Sequence, residues 1–175
     1  MGCGKTTLGT ELARQLQRPF IDLDEMIERE QGRTVRQLVE QRGEAAFRAL
    51  EQDALRRAAT AGRAIVACGG GTPCAAGAME LMNSAGVTVW LDATVERMAE
   101  RLCLPEQKAK RPLVAHVATD AMPALVARGL AEREPFYRRA ALRFDSTHLE
   151  SAEQIEASAR SLAALLEAYR LDTAK

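Results

Sequence analysis

Aromatic residues are scarce in this sequence. Phe, Trp and Tyr together make up 4% of the chain, with a single Trp, so it lacks the stacking platforms on which proteins hold single-stranded nucleic acid. Excess charge of one sign is missing too. Lys+Arg and Asp+Glu both total 24, which leaves no net positive field for gripping a nucleic-acid backbone, although a local basic cluster can still hold a small anion. No apolar run approaches the roughly 20 residues that span a bilayer, and the opening residues show no basic start followed by an apolar stretch, as a secretory signal would. The expectation is a soluble, cytoplasmic protein that binds neither nucleic acid nor membrane. Cys3, Cys68, Cys74 and Cys103 have no paired C-x-x-C spacing, and His116 and His148 are not placed among them as zinc ligands would be. They read as reduced thiols. There is no internal repeat or low-complexity segment. At 175 residues the chain has the length of one domain, 1–175, which is expected to act as a monomer and has no room for a separate substrate domain.

What is present is an alternation of helical and strand patterns. Leu8, Leu12, Ala13 and Leu16 recur at helical spacing and Pro19 closes the segment, which predicts a helix over 5–17. Residues 20–23 form a short apolar run with acidic residues at its end, suited to a buried parallel strand. Helices are predicted over 34–41 and 44–59, separated by Gly43, and a second strand over 64–68 runs directly into Gly69, Gly70 and Gly71. A helix over 75–85, a strand over 87–91 and a helix over 94–102 with Thr94 as N-cap continue the series. Residues 105–120 break it. They are polar, basic around Lys108, Lys110 and Arg111, and too long for an ordinary connection, which marks a candidate lid. A helix over 122–131, a short strand over 141–144 and a long amphipathic helix over 151–169 complete the chain. This βαβ alternation implies a doubly wound α/β fold, with a parallel sheet, helices on both faces and ligands beyond the carboxyl ends of the strands.

Gly2, Cys3, Gly4, Lys5, Thr6 and Thr7 match the final part of the P-loop pattern G-x-x-x-x-G-K-[ST], directly ahead of a predicted helix. The glycines let backbone N–H groups turn around phosphate oxygens, Lys5 places a charge on the β/γ-phosphates, and the Thr6 hydroxyl can ligate Mg²⁺. The first glycine of the pattern, and the strand that feeds such a loop, would lie ahead of Met1. The expectation is therefore a sheet without its central first strand, open beside the P-loop helix, in a chain that is unstable and weakly active.

Asp22 and Asp24 place two carboxylates at i and i+2 at a strand end, one able to contact Mg²⁺ and the other to accept a hydrogen bond from an attacking hydroxyl. Alternatively Asp24 only caps a helix starting near Glu25. Three consecutive glycines at 69–71 cost chain entropy and supply no packing, which suits a wall where backbone groups touch a polar ligand, although a strand-to-helix turn is the plainer reading. Arg48, Arg111 and Arg133 have solvated arginine as their default.

The ordered motifs G-C-G-K-T-T, F-I-D-L-D, R-G-E-A-A-F-R-x-L-E, G-G-G-T-P-C, K-R-P-L and E-R-E-P-F-Y together resemble the shikimate kinase family, from Met1 to about Asp145. That resemblance implies a fold like that of the nucleoside monophosphate kinases, with a five-stranded parallel sheet and a lid over ATP. It implies Lys5 and Thr6 on the nucleotide phosphates, Asp22 near Mg²⁺ and Asp24 on the shikimate hydroxyls. It also implies Arg48 and Arg133 on the shikimate carboxylate, Gly69, Gly70 and Gly71 lining the pocket, and Arg111 on phosphate. Lys5, Asp24 and Arg111 would then carry catalysis. The expected reaction is ATP-dependent phosphorylation of the shikimate 3-hydroxyl. The alternatives are another small-molecule P-loop kinase, such as a gluconate kinase, or a domain that binds nucleotide or shikimate without turnover. Adenine contacts leave little trace in the sequence, and Arg101 is one candidate.

Overall fold

The structure is a computed structural model that describes residues 2–110 and 112–173, and for 109, 110, 112 and 113 the backbone alone. Helix α1 (Lys5–Gln15) begins at Gly4, whose φ of 83° no other residue holds at ease, and no side chain caps its first turn. Its buried face is Leu8, Leu12 and Ala13. It stops where Gln17 turns to φ 51°, and the chain then enters β1 (Phe20–Asp22). Helix α2 (Leu23–Gln31) follows at once, capped by the Asp22 carboxylate, which accepts from the Asp24 N–H at 3.0 Å. The capping residue is thus Asp22 rather than Asp24, because the strand ends at Asp22, one residue before its apolar run does, and the helix starts at Leu23. Asp24 lies in the first helical turn, and the two carboxylates do not share a strand.

Helix α3 (Val35–Ala59) opens on a capping box between Thr34 and Gln37. It is one run with a break at Gly43 (φ 80°, ψ 164°), where two helices are predicted. Strand β2 (Ile65–Ala67) pairs in parallel with β1, Ile21 opposite Val66. A single 3₁₀ turn (Thr72–Cys74) and α4 (Ala78–Ala85) replace the longer helix predicted there, because Gly77 at φ 75° interrupts it. Strand β3 (Val89–Asp92) leads to α5 (Val95–Cys103), whose Thr94 cap accepts from the Arg97 N–H. The candidate lid is not an open loop. It contains two short helices, α6 (Pro105–Lys110) and α7 (Pro112–Ala115), and Val114 is fully buried against Met98, Leu102 and Met122. Helix α8 (Met122–Tyr137) continues six residues past the predicted end at 131 and carries Arg133 and Pro135 within it. Strand β4 (Leu142–Asp145), parallel to β3, and α9 (Ala152–Thr173) end the described chain.

Alternate residues of a strand face opposite sides, and here the two sides meet different helices. Ile65, Val89, Leu91 and Phe144 pack with Leu8, Leu12 and Leu162 of α1 and α9. Val66 and Ile21 pack with Leu23, Leu38 and Leu55 of α2 and α3. Helices therefore cover both faces, as a doubly wound sheet requires.

The sheet itself is split. Among the described residues β1 pairs with β2 and β3 with β4, no strand pairing joins β2 to β3, and no strand precedes α1. A cavity of about 1100 Å³ lies between the halves, lined by both inner strands, by Leu8 and Leu12 of α1 and by Leu162 and Leu166 of α9. Four strands in two pairs stand where the resemblance implies five in one sheet, and the opening is beside α1.

Candidate active site

The P-loop segment is shaped by its glycines. Gly2 and Gly4 sit at φ 73° and 83°, and a Cβ on Gly2 would lie 2.8 Å from the Met98 carbonyl oxygen, while one on Gly4 would strike Leu149 Cδ1. The uncapped start of α1 faces the same place, so orphan N–H groups and the positive end of the helix dipole are open to an anion. Lys5 Nζ lies 4.0 Å from Cys3 Sγ. Burial raises the Cys3 thiol, but Lys5 and the backbone hydrogen bonds of Cys3 and Lys5 are among the contributions that together outweigh it, and the net direction is down. Arg101 ties this loop to the turn after β4, donating to the carbonyls of Gly2 (3.3 Å), Ser146 (3.1 Å) and Thr147 (2.8 Å).

Across the loop, the Thr6 hydroxyl donates to Asp22 Oδ2 at 2.9 Å. A hydroxyl and a carboxylate at this distance beside a phosphate cradle are the oxygen donors that Mg²⁺ accepts when phosphates and waters fill its other positions. Among the described residues no group of three or more His, Cys, Asp or Glu forms a self-sufficient metal cage. Asp24, inside this cluster, has its carboxyl pushed up to about 6 by burial first and then by the charges of Asp22 and Glu51, with Lys5 pulling the other way.

Behind the glycine run lies a buried acid that sequence reasoning missed. Glu51 is 1% exposed, accepts from the Thr72 hydroxyl at 2.8 Å and forms a short ion pair with Arg48. A Cβ on Gly69 would collide with Glu51 Oε1, and one on Gly71 would lie 2.6 Å from the Arg48 guanidinium. The glycines at these two positions are therefore required by close approach, not by a simple turn. Arg48 is not a freely solvated arginine. Burial opposes its charge, yet Glu51 and Glu44 hold its pKa above the ordinary value, and Glu44 accepts from it at 2.9 Å. The sequence carries the signal for this set, since Glu44, Arg48 and Glu51 are spaced four and three apart on one helix.

Arg133 reaches the same pocket from α8. Its charge acts on Tyr137, one helical turn on, and together with that of Arg48 on the Cys74 thiol, which burial nevertheless raises. The Tyr137 hydroxyl in turn donates to the Gly70 carbonyl at 2.6 Å. Lys5, Thr6, Asp22, Asp24, Arg48, Gly69, Gly70, Gly71 and Arg133 thus converge on one cleft. Arg111 lies outside the described residues.

The sequence model of the family described as shikimate kinase matches residues 1–164. A shikimate kinase of Bacteroides fragilis is 41% identical over 166 residues, 95% of this chain and 92% of that protein. One from Phocaeicola vulgatus is 42% identical over 162 residues, covering 93% and 91%. Among solved structures, the shikimate kinase of Bacteroides thetaiotaomicron superposes with a TM-score of 0.90 at 41% identity, over 95% of this chain and 94% of that one. The shikimate kinase of Acinetobacter baumannii in complex with shikimate superposes with a TM-score of 0.81 at 30% identity, over 95% and 89%. With a fold, an anion cradle and an acid–arginine pocket in the order its motifs lead one to expect, this chain belongs to the shikimate kinase family.

Proposed function

We propose that this chain transfers the γ-phosphoryl group of ATP to the 3-hydroxyl of shikimate, in the biosynthesis of aromatic amino acids. The observation that carries the reading is the convergence of two arginines from different helices, Arg48 and Arg133, on a glycine wall beside the P-loop. Paired guanidinium groups suit a carboxylate, which shikimate has, and the acid–backbone wall suits its hydroxyls.

When bound, ATP with Mg²⁺ supplies the phosphoryl group and neutralises part of its charge. The chain's own residues do the positioning. The N–H groups of Gly2, Cys3, Gly4, Thr6 and Thr7 hold phosphate oxygens, Lys5 sets its charge on the transferred group, and Thr6 and Asp22 would hold the metal. Asp24 accepts the hydrogen bond of the acceptor hydroxyl and orients it for in-line attack. Arg48 and Arg133 anchor the carboxylate, and Gly69, Gly70 and Gly71 allow the substrate close to the backbone. Arg111, in a lid over 105–120, adds charge to the phosphates. The whole works as one monomeric domain, 1–175, in the cytoplasm. No helix among the described residues is long and apolar enough to cross a membrane.

An acceptor screen tests this. With ATP and Mg²⁺, shikimate should support ADP formation and gluconate should not. Equal rates with both, or turnover of gluconate alone, would reject the substrate assignment, and saturable shikimate binding with no turnover would leave a binding domain.

A further inference from the structure

The glycine wall has no side chains with which to fix itself, yet its peptide planes decide whether donors or acceptors face the cleft. One hydroxyl holds the middle of it. Tyr137 donates to the Gly70 carbonyl at 2.6 Å, and the charge of Arg133, one helical turn earlier, acts on the phenol. No peptide in the described chain is cis, and in a trans peptide the C=O of one residue and the N–H of the next point in opposite directions. Anchoring the Gly70 carbonyl therefore fixes the Gly71 N–H on the far side of that plane. The Arg48 guanidinium closes on Gly71, the next residue of the wall.

We infer that Tyr137 is a positioning residue for the acceptor pocket: its hydroxyl locks the Gly70–Gly71 peptide plane into one arrangement, ready for an anionic polyol. This rests on the pocket reading given under the proposed function. The phenol suits the task because burial raises its pKa, so that it keeps its proton. Its ring is held independently, 6.0 Å from the Trp90 ring centre, and Tyr137→Phe should retain that packing while losing the bond.

The test uses Trp90, the single tryptophan of the chain, as a fluorescent reporter beside the pocket. In Tyr137→Phe the Kd for shikimate should rise about ten-fold, the loss of one buried hydrogen bond, while the Kd for ATP stays within error. The effect should be non-additive with Arg133→Lys, because both variants disturb the same pocket. An unchanged shikimate Kd, or equal losses for shikimate and ATP, overturns the inference. Wild-type protein provides a second reading that needs no variant. In ¹³C-tyrosine-labelled protein, the Tyr137 Cζ resonance should shift on adding shikimate and not on adding ATP, and no shift with shikimate also overturns it. A wild-type protein that shows no saturable shikimate binding defeats the pocket reading itself, and this inference with it.

Discussion

Asp24 shows how a residue proposed to orient the acceptor can sit against the interest of the fold. Its carboxyl is pushed up to about 6, chiefly by burial and then by Asp22 and Glu51. A carboxyl raised above its unfolded value near 4 binds its proton more tightly when folded. Its contribution to stability is then complete below about pH 4 and is lost as pH rises through about 6. In nucleotide-free, metal-free protein, the wild type should lose on the order of 2–3 kcal/mol through this window from Asp24 alone. Asp24→Asn removes that loss, so urea titrations from pH 4 to 8 should show the variant gaining on the wild type as pH rises. A constant difference between the two across this range would mean that Asp24 is well solvated. The sequence marks Asp22 and Asp24 as a pair but not this asymmetry, which depends on Asp22 ending the strand as a helix cap and Glu51 approaching from α3. Glu51 itself was hidden for a related reason. An acidic residue on an amphipathic helix reads as solvated until the glycine run that packs over it is placed in space.

At the level of elements, α3 carries the Arg48–Glu51 pair on the part beyond its break. Gly43 makes that break, at φ 80° and ψ 164°, a region essentially restricted to glycine, and a Cβ there would meet nothing within 4 Å. Gly43→Ala therefore tests backbone conformation without adding a clash. It should cost about 1–3 kcal/mol in denaturant unfolding. By re-aiming the following turns it should also raise the KM for shikimate more than that for ATP. A neutral substitution would show that the break does not direct the helix. Gly43 was legible in the sequence as a boundary between two helical patterns, and the P-loop and the glycine run were legible as segments shaped by glycine. The extension of α8 to Tyr137 was not. Pro135 removes the N–H that would reach the Ala131 carbonyl, yet the helix continues two residues past it, which only the packed structure makes evident.

For the molecule as a whole, the decisive feature is the opening between β2 and β3. Two strands of a parallel sheet face one cavity of about 1100 Å³ with no strand between them among the described residues, and apolar side chains of α1 and α9 line it. A strand there would pair on both sides and bury apolar surface on both faces. An extended apolar segment of about five residues, joined ahead of Gly2, should raise both the denaturant midpoint and the turnover of shikimate. Unpaired buried backbone groups cost about 1–3 kcal/mol each, against the roughly 5–15 kcal/mol that hold a domain folded. If the added segment changes neither quantity, the cavity is not a strand site. The gap was foreseeable because a P-loop is fed by a strand, but its form, two half-sheets that share α1 and α9 across the cavity, came only from the packing. The central claim, that the chain is an ATP-dependent shikimate kinase acting through its P-loop, is tested most directly by Lys5→Ala in a coupled ADP-release assay with circular dichroism, on the chain and on the form with the added segment. The account predicts shikimate-dependent turnover that falls to background in a variant with an unchanged helical spectrum, whereas near-normal turnover in folded Lys5→Ala would contradict it.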